Sequence, residues 1–96
     1  MFKFIDKDVF GDNAAYHFEI LDYSTYDVVG KVMILVGPIR HDAAVVFNRD
    51  KIGPITAYPY LEDLRELLDA DLFPIDEPHS RIIISEIVYE NSRYRF

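Results

Sequence analysis

Residues 28–36 read Val28-Val29-Gly30-Lys31-Val32-Met33-Ile34-Leu35-Val36, a stretch that is apolar on both parities of an extended chain. Val32, Ile34 and Val36 fall on one side and Val29, Met33 and Leu35 on the other, with Gly30 and Lys31 as the interruptions. A run this short and this rich in β-branched residues predicts a central strand with both faces covered. The turn Asp22-Tyr23-Ser24-Thr25 precedes it. Gly37-Pro38 ends it, because proline has no N–H to give to a ladder.

Outward from that strand, Tyr16, Phe18 and Ile20 alternate with His17 and Glu19, the pattern of a strand with one wet face. Phe2 to Ile5 reads as a short first strand, and Asp6 to Asn13 as a turn-rich stretch broken by Gly11-Asp12-Asn13. On the other side, Ala43 to Phe47 predicts a strand and Asn48-Arg49-Asp50-Lys51 a turn. Gly53-Pro54 makes Ile52 to Tyr58 irregular. Pro59 suits the first turn of a helix, and Leu61, Leu64, Leu67 and Leu68 give an amphipathic stripe over Tyr60 to Ala70. Pro74 and Pro78 bracket an irregular piece before a β-branched final strand, Arg81 to Tyr89.

This order predicts one α+β domain over residues 1–96. Its core is a mainly antiparallel sheet of four or five strands with one amphipathic helix packed on one face. A helix of three turns covers part of one side, yet strands 28–36 and 81–89 are apolar on both. The second face is therefore expected to be covered by the N-terminal segment folding back, by a second copy in a homodimer, or by a partner protein.

Composition narrows the function classes. The 96 residues are half apolar and 28% charged, which fits a folded domain and excludes a disordered chain. The chain lacks cysteine, so no disulfide or thiolate metal site can form, and a reducing, cytoplasmic setting is the expectation. Charge arrives too early at the N-terminus for a signal peptide, and no apolar run reaches the roughly 18 residues of a membrane span. The net charge of −7 argues against direct nucleic-acid binding, which needs clustered Lys and Arg. Arg93 and Arg95 are too few to reverse that.

The charge is local. Residues 59–78 hold Glu62, Asp63, Glu66, Asp69, Asp71, Asp76 and Glu77 against the single base Arg65. Glu62 and Asp63 are expected in the helix's first turn, where its dipole stabilises carboxylates. Asp69 and Asp71 are expected near its C-terminal end, where lysine would be the stabilising choice. A helix carrying such a face predicts a docking surface for a basic protein, with Tyr58, Tyr60 and Phe73 as aromatic anchors beside Glu62, Asp63, Glu66, Asp69 and Asp71. A plain solubilising surface is the competing reading, and nucleic-acid mimicry is a narrower form of the docking one.

Other constellations are weaker. Asp69, Asp71, Asp76, Glu77 and His79 lack the glycine and the spacing of a calcium loop, so neither metal nor cofactor is expected. His17, His41 and His79 share no helical face. No nucleophile elbow, HExxH, P-loop or dinucleotide motif occurs. The expectation is a non-catalytic acidic module that binds and occludes a basic surface of a partner, by class analogy with immunity proteins and phage-encoded inhibitors. One alternative is an enzyme or ligand-binding domain with a pocket near His41, Asp42, Arg49 and Glu86. Another is a structural subunit of a larger complex.

Overall fold

The computed structural model describes residues 1–39, 41–70, 73, 75 and 82–91. Along the chain they form β1 (Phe2–Phe10), β2 (Asn13–Leu21), β3 (Val28–Val36), β4 (His41–Asn48), α1 (Tyr58–Asp69) and β5 (Ile83–Glu90). The strands lie in one sheet in the order β1-β2-β3-β4-β5. β1 to β4 form an antiparallel meander, and the chain then crosses through α1 to lay β5 parallel to β4. The expected α+β class, a mainly antiparallel sheet of four or five strands with one helix, is the observed fold, with five strands among the described residues.

Two rows of side chains show how the period of two sorts this sequence. Phe18, Val32 and Val45 are directly opposed across β2, β3 and β4, and all three are buried. They join Leu61, Leu64 and Leu68 of α1 in a single core, so the helix lies on this side. The next row runs Asp6, His17, Met33, Ala44, Glu86 across all five strands, and every member is at least partly exposed. Within one copy β3 is covered on one face: Lys31 and Met33 point to the side away from the helix, and both are exposed.

β1 differs from expectation. It runs nine residues to Phe10, where a short strand ending at Ile5 and a turn from Asp6 were anticipated. The turn itself is the two residues Gly11-Asp12, with Phe10 opposite Asn13. Gly11 has φ 63 and Asp12 does not share the left-handed region, the pattern of a type II′ hairpin, in which glycine takes the first central position without a Cβ clash. The N-terminal segment thus extends the sheet at its edge and does not fold back over the open face.

At the opposite end, the β2–β3 turn is closed by Asp22. Its carboxylate accepts hydrogen bonds from the Ser24 and Thr25 backbone N–H groups at 2.9 and 3.0 Å and from the Ser24 hydroxyl at 2.8 Å. Those donors favour the ionised form and hold the Asp22 carboxyl down at about 2. Tight backbone packing marks β3: a Cβ on Gly30 would sit 2.8 Å from the Val46 carbonyl oxygen, so glycine is required where β3 meets β4.

Candidate functional site

Helix α1 begins at Tyr58, capped by Ala57 without a side-chain hydrogen bond, and Pro59 stands in its first turn. No acidic residue lies in the first turn and no basic one in the last. This corrects the placement of Glu62 and Asp63, which enter one turn later and gain little from the dipole. At about 100° per residue, Leu61, Leu64 and Leu68 point into the sheet while Glu62, Glu66 and Asp69 fall within a sector of about 60° on the outer side. The three carboxylates are spaced i, i+4 and i+7, each within reach of the next.

Arg65 Nη1 donates to Glu62 Oε1 at 3.3 Å, with both side chains about half exposed. Such a surface pair contributes a few tenths of a kcal/mol at most and leaves the ridge net negative. Glu66 and Asp69 have no ion-pair partner among the described residues. Asp63 lies off the ridge: it accepts the Tyr23 hydroxyl, tying the β2–β3 turn to the helix. Burial, and then the Asp63 carboxylate beside it, push the Tyr23 phenol well above its usual range.

The aromatic anchors divide. Tyr58 is 60% exposed at the start of the helix. Tyr60 is 5% exposed and stacks on Tyr23 at 4.6 Å between ring centroids, while Phe73 is 2% exposed and packs edge-on against Phe18 at 4.5 Å. Both belong to the core and are not surface anchors. The signal that separates Tyr60 was present in the sequence, because it sits four residues before Leu64 and so on the leucine stripe. Asp71, Asp76, Glu77, His79, Arg93 and Arg95 lie outside the described residues.

The residues of the alternative pocket are not brought together. His41 opens β4 and Arg49 follows its end, so about 26 Å of strand separates them. Asp42 faces Ile83, and Glu86 lies further along β5, exposed and opposite Ala44. Glu86 instead borders a shallow groove of about 530 Å³ on the open sheet face, with Asp6, His17, Glu19 and Lys31 among its other lining residues.

One cluster is hidden in the sequence because Asp6-Lys7-Asp8 has the composition of a turn. In β1 Asp6 and Asp8 project beside His17 of β2, whose Nδ1 lies 2.6 Å from Asp6 Oδ1 and 3.8 Å from Asp8 Oδ2. One donor atom from each of the three residues lies within 4.8 Å of the others, a spacing at which they could share a divalent cation. The His17–Asp6 hydrogen bond accounts for their approach without an ion. Compared with family models, curated proteins and solved structures, the chain matches none. Among the described residues, no helix is long and apolar enough to cross a membrane.

Proposed function

We propose that the chain is a non-catalytic binding module whose acidic helix ridge docks on a basic surface of a partner protein and occludes it. The observation that carries this reading is the charge order of α1, which runs against the helix's own stability. Carboxylates are absent from the first turn and present at Asp69, the last helical residue, and like charges stand at i, i+4 and i+7 along Glu62, Glu66 and Asp69. Each of these choices costs a few tenths of a kcal/mol relative to neutral or basic residues. A ridge maintained against that cost has a use outside the fold.

Long-range attraction would steer such a ridge to a cationic groove, and Tyr58 at its N-terminal end supplies an exposed ring for the contact. A nucleic-acid enzyme fits the partner's description, since its substrate channel is basic. A reducing intracellular setting is part of the same proposal.

The test compares the wild type with a Glu62→Gln, Glu66→Gln, Asp69→Asn variant, each immobilised and exposed to host extract at low and moderate salt. The expected result is a basic protein held by the wild type at low salt, released as salt rises, and not held by the variant. Its association rate should fall at least tenfold when the ridge is neutralised. Identical partners for both proteins would reduce the ridge to a solubilising surface.

A further inference from the structure

We propose that β1 pairs with β1 of a second copy of this chain, antiparallel about a two-fold axis, joining two sheets into one of ten strands. β1 forms one edge of the described sheet, with β2 as its only strand neighbour among the described residues. At nine residues it is long for an edge strand, and Phe4, Val9 and Phe10 remain 48%, 69% and 52% exposed along it. Such an edge templates another strand unless it is blunted.

The register selects the occupant. β1 carries a bulge between Phe4 and Asp6, so that Ile5 is extra against β2. Phe2 and Phe4 before it, and Lys7 and Val9 after it, project to the helix side, while Lys3, Asp6 and Asp8 project to the open side. In an isologous pair, residues directly opposite must share a face. A two-fold axis between Ile5 and Asp6 meets this condition for the three residues on each side of that pair, Phe2 to Phe4 and Lys7 to Val9, and sets Ile5 opposite the second copy's Asp6. It sets Phe2 against the second copy's Val9, Lys3 against its Asp8, and Phe4 against its Lys7. Every pairing occurs twice. On the open side Lys3 and Asp8 meet as opposite charges, and on the helix side Phe2 meets Val9, two combinations that stabilise cross-strand neighbours, while Phe4 lies along the aliphatic stem of Lys7. The charges that look like edge protection in one copy become complementary in two. This inference stands independently of the acidic ridge, which lies on α1.

The experiment is light scattering and sedimentation of the full chain from low micromolar to several hundred micromolar. Three proteins are compared: wild type, Lys3→Asp, and Lys3→Asp with Asp8→Lys. The wild type is expected to dimerise. The single reversal sets two like-charged pairs across the axis and should weaken the dimer roughly tenfold, and the double reversal should restore it. Circular dichroism of each protein separates lost pairing from lost folding. In the wild type, hydrogen exchange of β1 amides should slow as concentration rises. A wild type monomeric throughout the range, a dimer indifferent to both reversals, or a dimer whose β1 amides stay unprotected would each overturn the proposal.

Discussion

The two faces of the sheet are built from the same strands one residue out of step, and they behave as different materials. The row Phe4, Phe18, Val32, Val45, Ile87 runs under the helix and is wholly buried at its three central positions. Its neighbour, Asp6, His17, Met33, Ala44, Glu86, is charged at both ends and wet throughout. A β-branched, two-sided apolar strand such as β3 therefore does not prove that both of its faces are covered. Met33 and Leu35 alternate with Lys31 on the open side, and Lys31 lies between Glu19 and Val46 on the neighbouring strands, so that face is of mixed polarity.

The buried and the wet row should respond very differently to substitution. Phe18→Ala removes a ring that touches Phe4 and Phe73 and leaves a cavity in a core with little spare stability. A loss of about 3–5 kcal/mol is expected, enough to unfold much of a domain this small. Met33→Lys, in the adjacent row, should change stability by less than about 0.5 kcal/mol in urea titrations. A large loss at Met33 would mean that the open face is covered in solution, and the concentration dependence of that loss would tell a second copy from the chain itself.

The contrast was only partly legible in the sequence. The bounds of β3 could be read because Gly37-Pro38 and the Asp22 turn punctuate it, and α1 because its leucines repeat at the helical period. β1 could not: an edge strand with both sides wet needs no apolar alternation, so Asp6-Lys7-Asp8 looked like turn material. The Asp6–His17 contact depends on register between β1 and β2, which the bulge shifts, and no spacing rule reports it. Tyr60 and Phe73 were misplaced for a different reason. Both are aromatic residues close to the acidic run, but burial followed the leucine stripe and not the charge.

Where the covered face meets solvent, polar contacts hold the helix in place, and Tyr23 sharpens the comparison there. Tyr23→Phe deletes the hydroxyl donated to Asp63 while keeping the ring stacked on Tyr60, and should cost about 1 kcal/mol at neutral pH. The Tyr23 phenol is raised in the folded chain, by burial first and then by Asp63; the Tyr60 phenol is also raised, by burial first and then by Asp22. The folded state therefore keeps protons that the unfolded state releases above its ordinary value of about 10. The stability linked to them is complete below pH 10 and is lost as pH rises through the folded values. Urea midpoints measured from pH 8 to 11 should fall at the alkaline end. The fall should be shallower in Tyr23→Phe, and equal slopes in the two proteins would remove Tyr23 from the account.

The smallest effect carries the sharpest distinction between a face that serves the fold and one that does not. Asp69 closes α1, where the free carbonyls of the last turn concentrate negative potential, and it stands three residues from Glu66 on the same ridge. Asp69→Lys should relieve both repulsions and stabilise the domain by about 0.3–1 kcal/mol, raising the thermal midpoint by a few degrees. Substitutions under the helix can only lose stability. One on the ridge is expected to gain it, because the present residue is a poor choice for the helix. If Asp69→Lys stabilises the chain while slowing its association with a basic partner, stability and binding are opposed at one side chain, as a docking ridge requires. If it stabilises the chain and leaves association unchanged, the acid at that position serves neither the fold nor the partner, and the docking surface must be sought on Glu62, Glu66 and Tyr58.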